Sequence, residues 1–87
     1  MTDDAIRAVL IDYLQATRGT EEPIRGETDL LESGMLDSLL VMDLVCFLEA
    51  RFQVRMQPSD VKPHNLRSVS RLATYVQERL PRGSNAA

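Results

Sequence analysis

Apolar residues near the start of the chain recur with the three-and-four spacing of an amphipathic helix: Ala5, Ile6, Val9, Leu10, Tyr13 and Leu14. Thr2, Asp3 or Asp4 can cap this helix, and acids suit the positive end of its dipole. It should stop near Thr17, before Gly19. Residues 18–36 lose all periodicity around Gly19, Pro23, Gly26 and Gly34, so they read as a long loop pinned to the core by Leu30 and Leu31. Loops of this length in small domains are often functional. A second helix is expected from Ser38 to about Phe52, and a short helical turn near Ser59-Asp60-Val61, between Pro58 and Pro63. The last helix starts near Ser68 and carries Val69, Leu72, Ala73, Val76 and Leu80 on one face. Gln53-Val54-Arg55-Met56 alternates but is too short and isolated to read as a strand. The pattern predicts an all-α fold, a small four-helix bundle of three main helices and one short one. The domain is expected over residues 1–81, with 82–87 a disordered tail.

The second helix departs from a plain core helix. At roughly 100° per residue, Leu44, Leu48, Val41, Phe52 and Val45 share one arc that suffices to face the core. Ser38, Asp43 and Glu49 lie opposite, yet Leu39, Met42, Cys46, Phe47 and Ala50 lie on that side too. A helix apolar nearly all round is normally buried, and a domain of 87 residues cannot easily cover it on every side. Either the long loop covers Leu39, Cys46 or Phe47, or an apolar strip rimmed by carboxylates docks onto a partner.

Charge sharpens that picture. The net charge is −3, but residues 1–49 hold eleven acids and three bases, whereas residues 50–87 hold two acids and seven bases. The acidic half contains the Asp37-Ser38 junction and would attract a basic protein surface while repelling nucleic acid. The bases of the second half are scattered and have only Tyr75 as a nearby aromatic, so nucleic acid is not an expected partner. The single Cys46 cannot form an internal disulfide, which fits a reducing cytoplasm. The N-terminus lacks the basic and apolar regions of a signal peptide, and no apolar run approaches the ~20 residues that span a membrane. A cytoplasmic monomer with no membrane contact is expected.

Little catalytic chemistry is available. The only histidine, His64, sits in a Pro-His-Asn loop with no sequence reason to reach a serine, so a hydrolase needing Ser38 and His64 is remote. No glycine-flanked nucleophile, phosphate loop or metal-ligand spacing occurs. Cys46 on a helix reads as a small hydrophobe. Ser38 itself has two readings. Either it caps the second helix, or Asp37 caps and leaves Ser38 at the first helical position. In the second case its hydroxyl can accept a group from another enzyme, at a helix start whose free backbone N–H groups favour an attached phosphate.

The residues that carry this site resemble a known family. Gly34-Met35-Leu36-Asp37-Ser38-Leu39 is similar to the modification motif of acyl and peptidyl carrier proteins. Leu30-Leu31-Glu32-Ser33 before it, Phe47-Leu48-Glu49-Ala50-Arg51-Phe52 after it, and Val61…Leu66-Arg67-Ser68-Val69…Leu72-Ala73 also match. The resemblance runs from about Ala5 to Leu80. It implies a bundle in which Ser38 bears 4′-phosphopantetheine, transferred from coenzyme A by a phosphopantetheinyl transferase. The arm's thiol would hold acyl or aminoacyl groups as thioesters for a loading enzyme and downstream synthase or transferase enzymes. The protein itself would catalyse nothing. Asp37, Asp43 and Glu49 would meet basic patches of partners, Leu39, Met42 and Cys46 their apolar contacts, and Val61 and Leu66 would lie near the arm.

Two departures bear on the pathway. Leu40 and Ala50 stand where fatty-acid-synthesis carriers are often acidic, and the second half of this chain is basic. The resemblance therefore points to a free-standing carrier of polyketide, nonribosomal peptide or other specialised biosynthesis. A fatty-acid-synthesis carrier is one alternative, and an unmodified helical interaction module is another of a different class.

Overall fold

A computed structural model describes residues 2–19 and 23–80. Helix α1 spans Asp3–Arg18, α2 spans Ser38–Phe52, α3 spans Pro63–Leu66 and α4 spans Val69–Arg79, with one turn of 3-10 helix at Pro58–Asp60 before α3. The fold is all-helical, with no strand among the described residues. The expected end of the domain at residue 81 and the tail over 82–87 lie outside the described residues.

Each main helix begins at a residue whose side chain caps it. Thr2 Oγ1 accepts from the Ala5 N–H at 3.1 Å, and Asp3 and Asp4 fill the first turn of α1. That helix runs one residue past the expected stop, because Gly19 takes the left-handed conformation at φ +62° and returns its N–H to the Gln15 carbonyl. Ser68 Oγ caps α4 by accepting from the Arg71 N–H at 3.1 Å.

The core forms where the apolar stripes of these helices meet. Ile6, Leu10 and Leu14 of α1, Leu40, Leu44, Leu48 and Phe52 of α2, and Val69, Leu72, Ala73, Tyr75 and Val76 of α4 are buried. The buried face of α2 is turned toward Leu40 relative to the expected arc, and Val41 and Val45 are only half-buried. Phe47 is covered by α1: its ring stacks on Tyr13 with centroids 4.1 Å apart.

The connection between α1 and α2 is less loose than its composition suggests. Ile24, Leu30 and Leu36 are buried, while Leu31 is only half-buried. The Leu30 N–H donates to the Arg67 carbonyl at 2.7 Å, the Leu36 N–H to the Leu30 carbonyl at 2.9 Å, and the Ser70 N–H to the Gly26 carbonyl at 2.9 Å. Asp29 organises the middle by accepting from the Leu31 and Glu32 N–H groups and pairing with Arg67 at 3.2 Å. This segment is a built strap that positions the start of α2.

The single short turn expected between the two prolines is two pieces. Lys62 precedes Pro63 and is extended (φ −144°, ψ 157°), as a following proline ring demands. Helical structure therefore stops after Asp60 and restarts at Pro63, whose fixed φ suits a first helical position. The alternating Val54 and Met56 are both buried with Arg55 exposed, so they seal the core as an extended segment without a strand partner.

Candidate functional site

The open question at the start of α2 resolves in favour of Asp37. Its Oδ1 accepts from the Leu39 N–H at 3.1 Å and the Leu40 N–H at 2.9 Å, so Asp37 is the cap and Ser38 the first helical residue. Among the described residues no hydrogen bond holds the Ser38 hydroxyl, and the residue is exposed. The expectation of free N–H groups there needs correction, since the Asp37 carboxylate already occupies those of Leu39 and Leu40. What remains is an unencumbered hydroxyl at the positive end of a helix dipole, which fits attachment of a phosphodiester without loss of the cap.

Asp37 is held from outside as well. Arg18, the last residue of α1, places one guanidinium nitrogen 3.5 Å from Asp37 Oδ2 and donates from the other to the Gly34 carbonyl at 3.2 Å. The Leu40 N–H holds the Asp37 carboxyl below the usual carboxylate range; desolvation opposes it, and the Arg18 charge and the Leu39 N–H add to the lowering. Nothing in the sequence marked Arg18, because a contact sixteen positions away carries no local pattern.

The apolar strip of α2 is open. Leu39 is 82% exposed and Met42 65%, and Cys46 and Asp43 are exposed beside them. A cavity of about 430 Å³ adjoins the strip, lined by Met42, Val45, Met56, Pro58 and Val61. Met42 and Val61 were expected at the site, whereas Val45, Met56 and Pro58 were not. The alternation of Gln53-Val54-Arg55-Met56 in the sequence is the one signal that could have placed Met56 in this wall.

Two expected surface residues serve the fold. Glu49 is half-buried and accepts from the Met56 N–H at 2.9 Å, so its carboxylate ties α2 to the cavity wall. Leu66 is 5% exposed and belongs to the core, so its side chain is not presented to a partner. Leu40, compared above with an acidic surface position, is likewise 5% exposed. The cavity wall is braced on its far side by Asp60, which accepts from the Tyr75 hydroxyl at 2.8 Å and pairs with Arg79 at 3.3 Å. No group of three or more potential metal ligands occurs among the described residues, and no described helix is long and apolar enough to cross a membrane.

Comparison with known proteins fits this geometry. The family described as "Phosphopantetheine attachment site" matches residues 4–76. D-alanyl carrier proteins of Lactococcus lactis subsp. lactis (strain IL1403) and subsp. cremoris (strain MG1363) are each 30% identical over 71 residues. Those alignments cover 80% of this chain and 90% of the relative. Among solved structures, a chain of one described as "Crystal structure of FAD-dependent dehydrogenase" superposes with a TM-score of 0.73 at 24% identity. The match covers 78% of this chain and 99% of that one, and it shows the shared fold. This chain therefore belongs to the phosphopantetheine-attachment family of carrier proteins, which bear covalently bound 4′-phosphopantetheine.

Proposed function

We propose that Ser38 is the attachment residue and that the protein carries aminoacyl or acyl thioesters between partner enzymes without catalysing a reaction itself. The observation that supports this most is the division of labour at the start of α2. Asp37 caps the helix through both the Leu39 and Leu40 N–H groups, leaving an exposed Ser38 hydroxyl with no structural duty. In the modification, Ser38 Oγ forms a bond to the pantetheine-bearing phosphorus of coenzyme A. The pyrophosphate P–O bond breaks, its electron pair leaves with adenosine 3′,5′-bisphosphate, and the serine proton passes to a base of the transferase. The arm then supplies a thiol that holds the cargo, and the tether raises the effective concentration of that cargo at each partner.

The exposed strip of Leu39, Met42 and Cys46, flanked by Asp37 and Asp43 and continued by Val61 at the cavity, is the proposed docking face for the transferase and for loading and downstream enzymes. Truncating Glu49 would act on that face by releasing the Met56 backbone. An amino acid is the favoured cargo, because the curated relatives are named for carrying D-alanine and the chain departs from the acidic composition of fatty-acid carriers. Polyketide and nonribosomal peptide assembly are the specialised pathways such a carrier would serve.

The test is intact mass after incubation with coenzyme A and a broad-specificity phosphopantetheinyl transferase. Wild type should gain one phosphopantetheinyl group and Ser38→Ala none, with both proteins folded. No gain in folded wild type would leave an interaction module that docks through α2 unmodified. Incubation of the loaded protein with an aminoacyl-adenylate-forming enzyme and a fatty-acyl-loading enzyme then separates the two cargo classes.

A further inference from the structure

The contact between Arg18 and the segment before Ser38 is unlike the other ion pairs among the described residues. Arg7 pairs with acids of its own helix turn, Arg67 ties the strap to the segment before α4, and Arg79 braces Asp60. Arg18 instead grips both ends of one tetrapeptide, through Gly34 and Asp37. One arm of its guanidinium donates to the carbonyl of Gly34, a residue at φ +79°, while the other faces the Asp37 carboxylate. Between those ends, Leu36 is buried and its N–H is fixed to the Leu30 carbonyl. The tetrapeptide 34–37 is thus held at three points, and Ser38 is the next residue.

Two physical considerations say what this grip does. Both partners are partly exposed, with side chains 36% and 54% accessible, and a pair of that kind contributes little to folding stability. A planar fork that bonds two groups fixed in different directions does constrain geometry, and a point charge such as lysine cannot reproduce it. Asp37 also leaves a carboxylate beside the hydroxyl that must meet the anionic pyrophosphate of coenzyme A. Arg18 is the one described cation bonded to that carboxylate, so it lessens the repulsion the incoming phosphate meets.

We infer that Arg18 is a positioning residue for the modification of Ser38: it locks the Gly34–Asp37 segment to the end of α1, orients the Ser38 hydroxyl, and partly neutralises Asp37 beside it. The inference rests on the proposed attachment at Ser38. Arg18 touches neither reactant, and its influence runs through Gly34 and Asp37. Orientation acts on the bound complex, so its loss should fall on turnover and not on docking through Leu39 and Met42.

The experiment compares wild type, Arg18→Gln and Arg18→Lys as apo substrates of one phosphopantetheinyl transferase, with initial rates over a range of carrier concentration read by intact mass. Thermal melting and amide exchange are measured on the same apo samples. Arg18→Gln should lower kcat about fivefold with KM unchanged, while melting moves by no more than a few degrees. Arg18→Lys keeps the charge and loses the fork, so it should regain only part of the rate. Exchange at Leu39 and Leu40 should quicken in both variants. Wild-type kinetics in Arg18→Gln, with wild type itself modified, would overturn the role of Arg18 and leave the carrier reading standing. Full rate in Arg18→Lys would also overturn the fork. Failure of wild type to accept the group would overturn the attachment at Ser38 and this role with it, whatever the exchange data show.

Discussion

Tyr75 donates its hydroxyl hydrogen to Asp60 at 2.8 Å and so fastens the 3-10 turn to α4. The same carboxylate accepts from the Gln57 N–H and pairs with Arg79, and the Asp60 carbonyl accepts from the Asn65 side chain. Pro58 and Val61, which wall the cavity beside Met42, are therefore placed by a residue on a different helix. Tyr75→Phe removes one donor and leaves Asp60 with its other partners, so a loss of about 1 kcal/mol is expected. Urea unfolding of the two proteins reads it, and amide exchange at Val61 should rise. A variant as stable as wild type, with unchanged exchange, would mean that the turn is held by Arg79 and Gln57 alone.

The same network gives the protein a pH signature. Asp60 is held below the ordinary carboxylate range first by the Tyr75 hydrogen bond. Asp29 is lowered chiefly by the Glu32 N–H, and Asp37 chiefly by the Leu40 N–H. Depressed carboxyls contribute stability that is present above the unfolded value near 3.9 and is lost as pH falls through their folded values. Burial, then the Asp60 hydrogen bond, pushes Tyr75 up to about 12. A raised phenol contributes stability present below its unfolded value near 10 and lost as pH climbs through the folded one. Melting temperature should be level around neutrality, fall below about pH 4 and fall again above about pH 10. Tyr75→Phe should soften the alkaline decline specifically, and an identical alkaline limb in that variant would assign it to other groups.

The bundle was legible in the sequence because its main signals are local. Capping residues and three-and-four spacing delimited α1, α2 and α4, and Ser38 and Phe52 bound α2 as expected. Distant contacts were not legible. Leu40 reads as a surface position until α2 is packed and its buried face proves to turn that way. Tyr75 looked like a lone aromatic, yet it is core with its hydroxyl on Asp60. Glu49 and Leu66 carry the residue types of a docking face and of a groove. Only coordinates show that one holds the Met56 N–H and the other is buried in the core. Arg18 had no signature at all, since its partners lie across the long strap. The strip of Leu39, Met42 and Cys46 was legible for a thermodynamic reason: an apolar residue that the core cannot accommodate stands out in the helical projection.

Asp37 and Ser38 should separate cleanly by mutation. Ser38→Ala removes a hydroxyl with no described partner, so its stability should stay within about 0.5 kcal/mol of wild type while the mass gain disappears. Asp37→Ala removes the cap of α2 and the partner of Arg18, and it should cost about 1 kcal/mol, within the usual range for lost caps. Asp37→Asn keeps an accepting oxygen and should fall between them. Chemical denaturation of the three variants checks this order. Unfolding of Ser38→Ala would show that the serine, and not the aspartate, secures the helix.

Exposure at Leu39 and Met42 makes a last distinction, between residues that fold the carrier and residues that present it. Leu44 is buried on the same helix, and Leu44→Ala should cost 2–5 kcal/mol, roughly the range for a leucine truncated in a packed core. Leu39 is already mostly in water, so Leu39→Ala should leave the melting temperature nearly unchanged. If a transferase buries Leu39 at its interface, truncation forfeits a contact worth roughly 1.5–3 kcal/mol for a fully covered leucine side chain. The transferase's KM for the carrier should then rise about tenfold or more, with kcat little affected. Leu39→Glu should be worse, because it sets a charge against an apolar contact, and Met42→Glu should behave alike. This pattern is the reverse of that expected for Arg18, where turnover falls and docking holds. Unchanged kinetics in Leu39→Glu and Met42→Glu would move the docking face off the α2 strip, toward the surface beyond the cavity, while leaving Ser38 as the acceptor.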